Sequence, residues 1–233
     1  MSYPSDKTRL KELRGMGELE DYKPFINARD FNSIGTCEIV PDWITGRSVE
    51  LLSQGEAMYW YILRFNPDIV DIREQYPMNP NETLALADTL GIRHPKNRSH
   101  IMTIDFLITY RDGHQEAHSL KTSKKVLEKD RNCERLLLEQ KYWELHGIRY
   151  RLIFKDELNN IYAQNIRFCS YNANINTVTD RMSCLKYMII NHLITIDTLE
   201  TEELNLQKLL LKHESEVDTV WKTIVSASTK VTF

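Results

Sequence analysis

The chain has little with which to staple or embed itself. Its four cysteines, Cys37, Cys133, Cys169 and Cys184, lie far apart and form no CxxC pair. That spacing argues against a disulfide framework, and the thiols are expected to stay reduced in a cytoplasmic protein. Long apolar runs are missing too. The best stretch, 184–196, is interrupted by Lys186, Asn191 and His192, too short and too polar to span a bilayer. Residues 1–11 are polar and lack the apolar segment of a secretory signal, so no membrane partner is expected. Internal repeats and low-complexity tracts are absent as well.

A hydrophobic fraction of 42% with 27% charged residues is what remains, and it describes a globular chain able to bury a core. The formal net charge of −3 does not by itself suggest nucleic acid. Its distribution does more. Residues 91–151 carry 13 Lys and Arg against 8 Asp and Glu, whereas residues 156–233 carry 7 against 10. A basic middle suits phosphate and an acidic tail suits a protein partner, although solvated faces account for both patches equally well.

Three regions are expected. Residues 1–50, with Gly15, Gly17, Gly35, Gly46 and three prolines, read as an irregular arm with short strands near 37–40 and 48–52. Residues 51–167 alternate helix and strand. Ser53 and Glu56 form the N-terminal signature of a helix over 53–65. Strands follow at 69–76 and 101–110, the latter with Met102, Ile104, Phe106 and Ile108 on one face. Arg111-Asp112-Gly113-His114 marks a hairpin returning through 115–121. A long helix capped by Ser123 then runs to His146, with Gly147 at its C′ position, and leads to a strand at 148–154. That βαβ unit requires parallel flanking strands. Residues 168–233 read as a helical domain with helices near 177–193, 200–213 and 215–226.

Chemistry gathers at Glu56, Asp105, Ser119 and Lys121. A carboxylate inside Thr103-Ile104-Asp105-Phe106-Leu107 is costly to bury without a cation or several donors. Register decides whether Lys121 can serve it. A two-residue hairpin loop would pair Asp105 with Leu120 and put Lys121 on the other face. A three-residue loop with Gly113 in the left-handed position pairs Asp105 with Ser119 and brings Lys121 alongside. By themselves these residues fit either a buried Asp–Lys ion pair or metal-assisted phosphodiester hydrolysis, in which hard oxygen ligands hold Mg²⁺ and lysine stabilises developing charge. Glu74, beside Arg73, reads as part of a structural pair.

Several segments occur in a characteristic order: Leu51-Leu52-Ser53, Glu56, Val70-Asp71-Ile72-Arg73-Glu74-Gln75-Tyr76-Pro77, Gly91-Ile92-Arg93-His94-Pro95, Met102-Thr103-Ile104-Asp105-Phe106-Leu107 and Tyr142-Trp143. With Arg14-Gly15-Met16-Gly17 and Asp21-Tyr22 in the arm, this order resembles the TnsA family, the endonuclease subunits of heteromeric cut-and-paste DNA transposases. The match spans about residues 14–155. It implies an α/β catalytic domain of type II restriction endonuclease fold, followed by a small helical domain. It further implies Mg²⁺-dependent cleavage of the 5′-ended, non-transferred strand at double-stranded transposon ends. Glu56, Asp105 and Lys121 would be catalytic, and Glu56, Asp105, Ser119 and the main-chain carbonyl of Leu120 would hold the metal. The partners implied are a TnsB-type recombinase and a TnsC-type ATPase regulator that engages the tail. Ser119 departs from the family's usual Gln or Glu, and a serine hydroxyl is a shorter, weaker ligand.

DNA contact is expected from Arg93, His94, Lys96 and Arg98 in the loop before the second long strand, and from Lys124 and Lys125 after the catalytic strand. The loop lacks a nearby cysteine or carboxylate, so no zinc site is expected there. Two other readings stay open. A free-standing restriction or repair nuclease of the same fold would act alone. An adaptor with a decayed site would assemble without cutting.

Overall fold

The computed structural model describes residues 4–30, 37–95 and 100–229. It divides into two compact units, Met1–Leu158 and Asn159–Phe233. The boundary falls about ten residues before the expected one, because a helix that the sequence reading missed, Asn160–Ser170, belongs wholly to the second unit.

In the first unit, helix α1 (Asp6–Lys11) precedes a hairpin of β1 (Glu38–Pro41) and β2 (Ser48–Leu51). Helix α2 (Gln54–Arg64), strand β3 (Ile69–Pro77) and helix α3 (Pro80–Leu90) follow. Strands β4 (Thr103–Tyr110) and β5 (Gln115–Lys121), helix α4 (Asp130–Leu145) and strand β6 (Arg149–Phe154) complete it. The second sheet has the order β3-β4-β5-β6. Its first two pairings are antiparallel and β5–β6 is parallel, as a helical crossover demands.

The β4–β5 register settles the hairpin question. Phe106 faces His118 and Ile108 faces Glu116, so the ladder extrapolates to Asp105 opposite Ser119. Gly113 takes φ +88°, its amide donates to the Tyr110 carbonyl at 2.9 Å, and Tyr110 N bonds the His114 carbonyl at 3.0 Å. Glycine alone adopts this conformation without strain.

Two expectations need correction. Strand β4 is not apolar on one face only: Leu107 is as buried as Phe106 and Ile108. Leu107 joins a core with Ala117, Leu138, Tyr142 and Trp143, while Phe106 packs edge-on against Tyr59 of α2. Helices thus cover both faces of the sheet. The long helix capped by Ser123 is also interrupted. A 3₁₀ segment, Lys124–Glu128, comes first, Lys129 is extended, and α4 begins at Asp130. Ser123 makes no capping bond, and the break is held by Asn132 Nδ2 and Cys133 Sγ, which donate to the Val126 and Leu127 carbonyls. Gly147, at φ +68°, ends the helix as its position requires.

The arm is not a loose appendage. Glu74 on β3 is fully buried and accepts a fork of bonds from Arg47, at 2.8 and 2.5 Å, and one from the Glu50 amide at 3.1 Å. Its carbonyl accepts the Tyr22 hydroxyl at 2.8 Å. Its ion partner is therefore Arg47 and not Arg73, which sits 3.4 Å from Asp71 and 3.6 Å from Glu18. Burial tends to push the Glu74 carboxyl pKa up, and the Arg47 bonds oppose that rise.

The second unit contains α5 (Asn160–Ser170), α6 (Arg181–Ile190), α7 (Leu206–Lys212) and α8 (Glu214–Thr229). Cys169, Cys184, Leu185, Met188 and Val217 are among its buried residues. Buried Asn165 clasps the stretch after α6, donating to the Leu199 and Glu202 carbonyls and accepting from the Leu204 amide. Among the described residues no helix is long and apolar enough to cross a membrane. No disulfide joins the four cysteines.

Removing one side of the buried Arg47–Glu74 fork strands a guanidinium in the interior. Glu74→Ala is therefore expected to lower unfolding free energy by about 3–5 kcal/mol. Urea denaturation measures it, and a loss below about 1 kcal/mol would show that the fork does not tie hairpin, arm and sheet together.

Candidate active site

The register set by Gly113 gathers a cation and several oxygens in one place. Asp105 Oδ2 accepts the Leu120 amide at 2.6 Å, and the Ser119 hydroxyl lies 3.5 Å away. Lys121 Nζ donates to Ser119 Oγ at 2.6 Å, to the Leu120 carbonyl at 2.9 Å and to Asp105 Oδ2 at 3.4 Å. Ser119 is buried, whereas the Asp105 and Lys121 side chains remain 21% and 14% exposed, so the cluster opens to solvent at its rim. Asp105 is thus half-buried and hydrogen-bonded, not sealed in the sheet.

Glu56 arrives from the first turn of α2. Ser53 accepts its amide at 3.1 Å, and the Ser53 hydroxyl and the Leu52 amide both bond its carboxylate at 3.0 Å. This is a helix cap by construction. The cap alone would be a complete structural role, yet the carboxylate also feels Asp105. Burial first, and then the charge of Asp105, push its pKa up to about 7, against the lowering effect of its donors. A third contact comes from Gln75 Nε2 at 3.5 Å.

One acidic neighbour escaped the sequence reading. Glu139 on α4 is 5% exposed, and the Tyr150 hydroxyl donates to it at 3.2 Å. Burial chiefly raises its pKa, Lys121 opposes the rise, Asp105 adds to it, and the Ser119 hydroxyl bonds to it. The sequence carried a faint signal, since Glu139 lies on the buried stripe of α4 with Leu138, Tyr142 and Trp143. A cavity of about 340 Å³ adjoins this carboxylate, lined by Met102, Thr103, Arg131, Arg135 and Glu139 among others.

The proposed DNA contacts fare differently. Arg93 is exposed, and its carbonyl accepts from Arg131. His94 is 7% exposed, with its ring bonded to Thr83 Oγ1 at 3.1 Å and to the Pro95 carbonyl at 3.0 Å. Burial lowers its pKa. These bonds give the ring a structural role. Lys96 and Arg98 lie outside the described residues. Lys124 and Lys125 are exposed on the 3₁₀ segment directly after β5, Lys124 pairing with Glu157 at 2.5 Å.

Whether these donors suit a divalent ion can be judged from the ammonium itself. Lys121 Nζ sits among a carboxylate, a hydroxyl and a carbonyl oxygen, a set of hard donors of the kind that Mg²⁺ takes. No group of three or more His, Cys, Asp or Glu side chains with metal-holding geometry occurs among the described residues. An ion held by this set would keep water and substrate oxygens as its other ligands.

A mixed sheet with a carboxylate, a Ser-x-Lys strand and a capped helix glutamate at one site is the frame within which the comparisons fall. Residues 66–155 match the family described as TnsA-like endonuclease N terminal. Transposon Tn7 transposition protein TnsA of Escherichia coli is 32% identical over 163 residues, which are 69% of this chain and 60% of that protein. The chain belongs to the TnsA-like proteins, and its match spans less than two thirds of that relative's length.

The folded Glu56 carboxyl, with its pKa near 7 against the usual 4.5, holds its proton more tightly than the unfolded one. Its contribution to stability is therefore full below about pH 4.5 and is lost as pH rises through 7. Glu56→Gln should abolish that slope and be more stable than the wild type at pH 8, by up to about 3 kcal/mol. Urea unfolding of both proteins at pH 5 and pH 8 measures this, and parallel pH slopes would refute it.

Proposed function

We propose that this chain is the DNA-cutting subunit of a transposase, with a catalytic domain of restriction-endonuclease type. It hydrolyses the 5′-ended, non-transferred strand at transposon ends. The observation that carries the reading is the Asp105–Ser119–Leu120–Lys121 cluster, a solvent-reaching group of hard oxygens and one ammonium. A buried structural ion pair would need neither the rim opening nor a second carboxylate whose pKa responds to the first.

In this reading Glu56, Asp105, the Leu120 carbonyl and, through its hydroxyl, Ser119 hold Mg²⁺. The bound ion would neutralise charge on the scissile phosphate and favour ionisation of an attacking water. Asp105 is oriented for this by the Leu120 amide, which fixes Oδ2 and leaves Oδ1 without a protein donor among the described residues. Lys121, already within reach of Asp105 and Ser119, stabilises negative charge developing on the phosphoryl oxygens. Glu139, kept from solvent beside Ser119, adds acidic character to the wall that the shorter serine leaves. Arg93, Lys124 and Lys125 are the exposed cations of the expected contact set within the described residues, and they suit non-specific phosphate contacts.

The partners that complete this reading are a TnsB-type recombinase for the other strand and a TnsC-type ATPase regulator, with double-stranded transposon ends as substrate and the cytoplasm as the place of action. The relative is itself named as a transposition protein, which supports this setting. A second reading is favoured by Ser119 alone: with the usual Gln or Glu missing, the chain would be a structural adaptor that assembles without cutting.

Strand-specific cleavage of a labelled transposon end, with recombinase and regulator present, separates the two. Wild type with Mg²⁺ is expected to cut the 5′-ended strand, and Asp105→Ala to reduce the rate by at least about 10³-fold, the order expected for loss of a group that stabilises transition-state charge. Assembly of both proteins with no cut from either would establish the adaptor.

A further inference from the structure

Gln75 occupies a backbone conformation that its residue type disfavours. Its φ is +50°, and it is 4% exposed in the middle of β3. Among the described residues the other non-glycine positions with positive φ, Leu13, Leu19 and His192, are all exposed. A left-handed conformation costs a residue such as glutamine on the order of 1–2 kcal/mol. It persists when the surroundings over-determine it, and such outliers gather at functional sites. Here the flanking pairs are Glu74 with Phe106 and Tyr76 with Ile104. The kink therefore falls opposite Asp105.

The side chain at this kink is held at both ends. The Thr103 hydroxyl donates to Gln75 Oε1 at 3.0 Å, which fixes the amide so that Nε2 faces Glu56 Oε2 at 3.5 Å. The Glu56 carboxylate takes its other two contacts from Leu52 and Ser53, the residues just before its own helix. Those two fix it relative to α2. The contact from Gln75 ties it to the sheet that carries Asp105.

We infer that Gln75 is a positioning residue: its amide, clamped by Thr103, sets the Glu56 carboxylate relative to Asp105 so that the two act on one divalent ion. This rests on the reading of those carboxylates given above. The Gln75 carbonyl accepts the Phe25 amide of the arm at 3.3 Å, while its side chain alone spans Thr103 and Glu56.

The test is binding of Mn²⁺ alone to the full chain by titration calorimetry, with thermal unfolding measured on the same samples. Gln75→Gly keeps the left-handed backbone and removes the amide. Gln75→Asn tolerates the same backbone but is one methylene too short to reach Glu56. Thr103→Val leaves Gln75 in place and removes its clamp. Gln75→Gly and Gln75→Asn should weaken Mn²⁺ about tenfold, and Thr103→Val about threefold, with melting temperatures within a few degrees of wild type. If either Gln75 variant folds and binds Mn²⁺ within twofold of wild type, the inference is overturned, and it is likewise overturned if affinity falls only in step with melting temperature. Asp105→Ala distinguishes the deeper failure. Should wild type bind no Mn²⁺, or Asp105→Ala bind it unchanged, the ion site itself is wrong and the role of Gln75 falls with it. If Asp105→Ala abolishes binding and the Gln75 variants do not weaken it, the site stands and only the positioning role is lost.

Discussion

Side chains on a strand alternate, so a slip of one residue in the β4–β5 pairing would carry Ser119 and Lys121 to the opposite face from Asp105. What prevents it is one glycine. Gly113 takes a left-handed turn position, and the loop it closes sets the register that runs from Thr109–Gln115 to Phe106–His118. The parallel pairing of β5 with β6, which continues through Lys121 and Phe154, then locks the same strand from its other side. The Leu120 amide on Asp105, the ammonium among three oxygens and the Glu139 wall all presuppose this choice of face.

Around it the molecule solves a burial problem. Charged side chains are placed in the interior, where each must find a partner. Glu74 finds Arg47, and in doing so binds the hairpin and the arm to β3. Glu56 finds only backbone, hydroxyl and amide donors, and is left with its pKa near 7. The contrast is informative. A carboxylate answered by an arginine is finished structurally, whereas one answered by neutral donors beside a second carboxylate still has an unmet demand for a cation. The two sit on neighbouring elements and are told apart by what faces them.

Much of this could be read in the sequence, because periodicity and turn chemistry are local. The strands around Gly113, the Ser53–Glu56 cap, Gly147 and the parallel crossover all follow from short-range rules, and the TnsA-like character of the chain followed from ordered segments such as Asp71–Pro77. What escaped depends on contacts across the fold. Glu139 looked like one more charge on a mixed helix until α4 was laid on the sheet. Nothing in the string Glu74-Gln75-Tyr76 announces a left-handed residue. The bond from the His94 ring to Thr83, eleven positions earlier, is likewise invisible in the sequence. Helix α5 is an exception, since its signals are local: Asn159 caps it, and Ala163, Ile166 and Cys169 form its buried stripe. Lys96 and Arg98 lie outside the described residues.

The seating of the Lys121 ammonium has a consequence for the economy of charge in the folded chain. Two carboxylates brought near each other repel, and a site built to collect a divalent ion would ordinarily be a weak point in the protein until the ion arrived. Here the neutralising charge is covalently attached, two residues from one of its acceptors and on the same strand. Asp105 is therefore answered without an ion from solution, whereas Glu56, its pKa pushed up to about 7, keeps its demand for a proton or a cation.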